Sequence, residues 1–219
     1  MLHGSPSPGV AGSELTRLLA RLADAPPAPG RPVFAERLGH WVSWTGAITL
    51  SAALNAGPAG RDAVHTPAPH GAEADFQRVR AALEASIAVG PRQDATSPTD
   101  FAPYRRHCLH QQQTMQDAIG ALRQRLRDAL SRHAPALARL AAIDAVMDHT
   151  LAAQERSLLG LVPLRLQAHF ERLQRGAAGN PAWLADFHHD MGQMLRAECD
   201  HRLLPAQGLL DALLNHGPS

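Results

Sequence analysis

The sequence predicts an all-α protein, an antiparallel bundle of three long helices with a short N-terminal helical unit. Hydrophobic residues make up 45% of its 219 residues and aromatic residues only 4%, a composition that favours closely packed helices over sheets. Apolar residues also recur at spacings of three and four over long stretches, as in helices that bury one face. A chain of this length can bury a sizeable core.

Proline and glycine divide the N-terminal part of the chain. We expect a disordered N-terminus over residues 1–12 and an N-terminal helical unit over 13–55. Residues 56–72 are rich in Gly, Pro and Ala and predict a flexible linker or loop. Within the helical unit, Trp41 lies on an apolar face and Trp44 lies beside it, so these two tryptophans are our candidate interaction surface.

The rest of the chain, residues 73–215, predicts the helical bundle. A short helix over about 73–89 precedes three long segments, over about 100–132, 135–175 and 181–215. The first long segment has an apolar stripe made of Phe101, Tyr104, Cys108, Met115, Ile119, Leu122, Leu126 and Leu130. The stripe of the second comprises Leu137, Leu140, Met147, Leu151, Leu158 and Val162. Pro163 should bend or divide that second helix.

The stretch DFHHDMGQMLRAECDH, residues 186–201, contains eight side chains that could bind a metal. On a helix most of them point away from the apolar face, which leaves Glu198 and His201 directed inward and Asp190 at the edge. Glu-x-x-His is the unit that di-iron bundles use, and Asp144 on the preceding helix is a further candidate ligand. The chain has no second Glu-x-x-His pair, so a metal-binding bundle is only the alternative. The sequence favours pairing of Glu198 with an arginine or with His201 where the bundle end opens to water, with no metal or cofactor.

Neither enzyme chemistry nor nucleic-acid binding is favoured by the sequence. It contains no Gly-x-Ser-x-Gly and no phosphate-binding glycine loop, and neither cysteine has the surroundings of a known thiol enzyme. Weak nucleic-acid binding near the turn at 131–135 stays an alternative, since five arginines lie there. Their positions ring the helices and form no single stripe, and the formal net charge is only +1. They are Arg123, Arg125, Arg127, Arg132 and Arg139.

The predicted location is cytoplasmic. No secretory hydrophobic region follows the N-terminus, and Cys108 and Cys199 match no paired zinc or redox spacing, which indicates reduced thiols. The longest uncharged stretch, residues 38–60, contains too many polar residues for a membrane span.

Several segments together resemble an uncharacterised proteobacterial domain-of-unknown-function family of helical proteins. They are LTRLLARLAD, FAERLGHWVSWTGAITLSAALN, QQQTMQDAIGALRQRLRDAL, PALARLAAIDAVMDHTLAAQERSLL and HFERLQ. The resemblance implies no activity, cofactor or catalytic residue.

Helices this long offer more surface than one bundle needs, so the sequence favours a protein-interaction or scaffolding module with an unknown protein partner, a homo-oligomer being one option. Glutamines 111–113 interrupt the stripe, either to fix helix register or because that end is exposed.

Overall fold

The computed structural model describes residues 14–22, 51–52, 70–91, 100–177, 180 and 182–215. This part of the chain is helical and contains no strand, which confirms the all-α prediction. Trp41, Trp44, the predicted N-terminus and residues 56–69 of the predicted linker lie outside the described residues. The helices are α1 (Glu14–Leu22), α2 (His70–Ala88), α3 (Ala102–His133), α4 (Pro135–Leu159), α5 (Leu161–Gly176) and α6 (Trp183–Asn215).

Helix α3 packs against α2, α4, α5 and α6. It begins where predicted, because the Asp100 carboxylate accepts a hydrogen bond from the Ala102 N–H at 2.9 Å and Pro103 needs no partner in the first turn. The predicted stripe from Tyr104 to Leu130 is buried along its whole length, whereas Phe101 is only partly buried. The three-and-four spacing therefore identified the core face of this helix.

The chain reverses direction at Ala134. This residue is extended, with φ −153° and ψ 152°, and Pro135 opens α4 directly after it. Arg127 contacts Asp144 close to the turn, and Gln112 contacts the Leu159 carbonyl far from it, so residues farther from the turn on one helix meet residues farther from it on the other. Helices α3 and α4 are thus an antiparallel pair joined by the tight turn that the sequence predicted.

Pro163 divides the next helical region, although the division falls at Gly160, before the proline. Proline has no N–H to donate to the carbonyl four residues earlier, and its ring clashes with that carbonyl. Here the affected carbonyl belongs to Leu159, the last residue of α4. The side-chain amide of Gln112 on α3 donates to this oxygen at 3.0 Å. A side chain from a neighbouring helix therefore supplies the hydrogen bond that the proline cannot make.

The prediction that Leu158 belongs to the buried stripe of this region is wrong. Leu158 is 49% exposed, while Leu159 and Val162 are buried. Because the helix ends at Leu159 and a new one begins at Leu161, the face that meets the core shifts by one residue at the division.

Helix α6 crosses the core and contacts every other helix named above. The Asn180 side chain accepts a hydrogen bond from the Ala182 N–H at 3.0 Å, just before the helix begins. Helix α1 lies across α5 and α6 and buries Leu15, Leu18 and Leu22. Helix α2 packs on α3 and α6.

Candidate functional site

Glu198 is the most deeply buried charged residue that the structure describes. Its side chain is completely inaccessible to solvent. Arg202, one turn later on α6, donates from Nε and Nη2 to Oε1 at 3.0 and 2.9 Å. The Nε2 amide of Gln112 lies 3.1 and 3.0 Å from the two carboxylate oxygens. Glu198 is thus paired with an arginine, one of its two expected partners, and the pair lies inside the core and not at an open bundle end.

The surroundings of Glu198 act on its pKa in opposite directions. Burial raises the pKa of this carboxyl above its ordinary value, and this effect is the largest. The Gln112 hydrogen bond and the nearby Arg202 charge lower it, while the negative charge of Glu155, 3.7 Å from Arg202, raises it. Most buried carboxylates need such donors because an unpaired charge in the core is strongly destabilising.

The glutamines at 111–113 separate into one exposed and two interior residues. Gln111 is buried and exchanges hydrogen bonds with Ser86 on α2, its Oε1 accepting from the Ser86 hydroxyl at 3.1 Å and its amide donating to the Ser86 carbonyl at 3.3 Å. Gln112 bonds to Glu198 and to the Leu159 carbonyl, whereas Gln113 is exposed. Polar groups inside a helical core favour the one register in which all of them are paired. These contacts support the register interpretation over an exposed helix end.

His201 does not accompany Glu198 inward. It is exposed, while Cys199 is buried. The helical wheel placed His201 inward because it assumed one buried face along all of α6. Helix α2 packs beside this part of α6, where Arg80 lies 3.3 Å from Asp200, and therefore widens the buried surface toward Cys199.

Asp190 belongs to a second polar cluster that holds α1 in place. His169 Nε2 lies 2.8 Å from Asp190 Oδ2, and Arg172 lies 2.8 Å from His169 Nδ1. Arg21 of α1 reaches the other oxygen of Asp190 at 3.3 Å. Arg172 also donates to the Leu22 carbonyl at the end of α1 at 3.3 Å. The cluster links α1, α5 and α6, and its position indicates a structural role.

Asp144, the fourth candidate ligand, is held in an ion-pair network near the α3–α4 turn. It accepts from Arg123 at 2.7 Å and from Arg127 at 2.9 Å, and Asp148 accepts from the same two arginines at 2.8 and 3.1 Å. Both arginines and Asp144 are largely shielded from solvent. The four side chains therefore neutralise one another within the helix pair.

The proposed metal ligands do not come together. Glu198, Asp190 and Asp144 each have arginine partners in different clusters, and His201 is exposed. Among the described residues, no group of three or more His, Cys, Asp or Glu side chains could hold a metal ion. Binding of a metal by a di-iron-like arrangement is not supported by this geometry.

Three of the five arginines near the turn already have carboxylate partners, and Arg132 and Arg139 are exposed. Arg123 and Arg127 are paired with aspartates, and Arg125 lies 2.7 Å from Asp75 on α2. Charges that already have carboxylate partners contribute little to binding phosphates. The nucleic-acid alternative gains no support from the structure.

An exposed leucine face crosses the division between α4 and α5. Leu158, Leu161 and Leu164 are 49%, 43% and 58% exposed. The core side of the same segment is made by Leu159, Val162 and Leu166, all buried. A segment that is apolar on both sides is unusual for a surface helix. Sequence reasoning missed this face because a run rich in leucine does not show which of its sides meets the core.

Arginines lie beside the leucine face without carboxylate partners. Arg165 comes one turn after Leu161, and Arg156 lies in the last turn of α4. Both are exposed, and neither forms a salt bridge with a carboxylate of the described residues. The leucine face therefore combines apolar surface with unmatched positive charge.

In the part of the chain that the structure covers, no helix is sufficiently long and apolar to cross a membrane.

A family model described as "Protein of unknown function (DUF3348)" matches residues 1–215. The comparisons with curated proteins and with solved structures find no match.

Proposed function

The chain belongs to the DUF3348 family of proteins of unknown function, and from its geometry we propose that it is a helical protein-interaction module. The exposed leucine face formed by Leu158, Leu161 and Leu164 is the binding surface, and its partner is an acidic amphipathic helix of another protein. The exposure of these three leucines is the observation that carries the proposal.

The apolar part of the surface suits a helical partner. The three leucines lie within seven consecutive residues, about two helical turns, and a partner helix can cover them with its own apolar residues at the 3 and 4 spacing. Burying a leucine completely contributes about 1.5–3 kcal/mol, so covering three half-exposed leucines gives roughly 3 kcal/mol. That is enough to change a dissociation constant by about a hundredfold.

The charge beside the leucines specifies the kind of partner. Arg156 and Arg165 lack carboxylate partners among the described residues, so acidic side chains flanking the apolar stripe of a partner helix can pair with them. Such rim charges mainly increase the association rate and exclude basic partners. A cytoplasmic location and the antiparallel arrangement of the long helices are parts of the same proposal.

Photo-crosslinking in the native host cells tests the surface and the partner together. A photoreactive residue is placed at Leu164 in one variant and at Leu204 of α6 in the control, because the two side chains are equally exposed, at 58% and 60%. We expect an adduct from position 164 and much less from 204, with mass spectrometry locating the crosslink in an acidic amphipathic helix of another protein. Equal adducts at both positions, no adduct at 164, or a crosslink to a second copy of this chain would overturn the proposal.

A further inference from the structure

A cavity of about 520 Å³ opens where the end of α2 meets the first turns of α3. Ser86, Val89 and Gly90 form one wall, and Arg106, His107 and His110 form the other. Its volume is in the range of pockets that hold small-molecule ligands. The cavity is separate from the leucine face and from the cluster around Glu198, so neither feature accounts for it.

Arg106 gives the described part of the lining a positive charge. Among the described residues, a guanidinium and two imidazoles line the cavity, and no aspartate or glutamate does. Arg106 is exposed and, within the described residues, forms no salt bridge. The charged or titratable groups that the described residues place in the lining are Arg106, His107 and His110, all from α3, and the described part of α2 contributes none.

His107 has a nitrogen with no hydrogen-bond partner. Its Nε2 atom is buried and unpaired in this structure. Burial lowers the pKa of His107, and the positive charge of His110 lowers it further. An anion bound beside the ring would favour the protonated imidazole and would offset the repulsion between the two histidines.

The other wall gives the cavity an apolar side. Helix α2 ends at Ala88, and Gly90 two residues later has a φ of +67°, a left-handed conformation that favours glycine. Val89 just before it is 80% exposed, and Pro103 of α3 also lines the cavity. A ligand could therefore place a charged group against α3 and an uncharged body against these two side chains.

We infer that this cavity binds a small organic oxyanion, with its phosphate or carboxylate group between the Arg106 guanidinium and the imidazoles of His107 and His110. Phosphate and carboxylate groups share a compact negative charge, which the guanidinium and the protonated imidazoles attract. Arginine with two histidines is a donor set suited to either group.

Titration of the full-length chain followed by NMR of its histidine side chains tests this inference. Inorganic phosphate is added in one arm and acetate in the other, at constant ionic strength, and the His107 and His110 signals are assigned with His107→Gln and His110→Gln. We expect saturable shifts of both histidine signals. If the cavity prefers a phosphate group, only phosphate causes them; if it prefers a carboxylate, only acetate does; if it accepts either group, both anions do. A pKa of His107 that rises when the anion is bound provides a second readout.

Two arginine variants separate the cavity from the general surface charge. Arg106→Ala should weaken anion binding at least about tenfold, whereas Arg105→Ala, an exposed neighbour outside the cavity lining, should leave it unchanged. The inference is overturned if neither anion gives saturable shifts below about 10 mM, or if the two variants weaken binding equally.

Discussion

Replacing Arg202 with methionine tests whether the buried carboxylate of Glu198 depends on its guanidinium partner. In the native protein Glu198 is completely buried and is bonded to Arg202 and Gln112. The variant leaves the carboxylate with the Gln112 amide as its only donor among these contacts. Removing one partner of a buried ion pair costs about 3–5 kcal/mol. For a chain of this size, that loss lowers the midpoint of thermal unfolding by roughly 6–20 °C.

Urea unfolding followed by far-UV circular dichroism measures the loss. Arg196→Met is the matched control on the same helix, because Arg196 is exposed and should change the free energy of unfolding by less than about 0.5 kcal/mol. Adding Glu198→Leu to Arg202→Met should recover part of the loss, since no charge is then left buried. A loss below about 1 kcal/mol for Arg202→Met would refute the reasoning.

The same variant should show a characteristic pH dependence. Burial raises the pKa of Glu198 and Arg202 lowers it, so Arg202→Met moves the folded-state pKa further above the unfolded value of about 4.3. When the pKa of a carboxyl is higher in the folded than in the unfolded state, the protein loses stability as the pH rises from the unfolded-state pKa through the folded-state pKa. The destabilisation should be smallest near about pH 4 and complete at about pH 8. An equal loss at both pH values would contradict this explanation.

Three further predictions concern other parts of the molecule. Asp190→Asn should weaken the cluster that holds α1, so amide hydrogens of α1 exchange faster while those of α3 do not change. Leu166→Ala should cost about 2–5 kcal/mol because the residue is fully buried, whereas Leu164→Ala should cost less than about 1 kcal/mol in the same urea experiment. Burial raises the pKa of Cys108 to about 12 and of Cys199 to about 11, so at about pH 8 roughly 0.1% or less of either thiol is ionised. Alkylation should be slow in the folded protein and fast in urea, and rapid reaction of either native thiol would show that its site is open.

The sequence was sufficient to locate the long helices because their signals are local. The stripe of α3 repeats over eight turns, and Pro135 and Asn180 mark the points where helices begin. Pro163 correctly indicated that the helical region after the turn is divided, because proline cannot donate a hydrogen bond to the carbonyl four residues earlier. The position of the division could not be read directly, because the proline acts on the carbonyl four residues before it.

The candidate site was predictable only in part. Glu198 could be placed inside because the wheel uses positions on one helix, but His201 could not, since its exposure depends on where α2 packs. The role of Gln112 depends on Leu159 and Glu198, which are 47 and 86 residues away. Contacts at such separations follow from the tertiary arrangement and have no signature in a single sequence.

The polar contacts of α3 also enclose very different lengths of chain. Arg127 and Asp144 are 17 residues apart, whereas Gln112 and Glu198 are 86 apart. Closing the longer loop costs roughly 1.4 kcal/mol more in chain entropy, so α3 and α4 should associate before α6 joins them. During synthesis on the ribosome, the Gln112 amide on α3 therefore has no Glu198 carboxylate to bind until α6 has been made. Until α6 has emerged, the earlier helices expose the apolar surface that it later covers, and exposed surface of this kind makes a folding intermediate prone to aggregation.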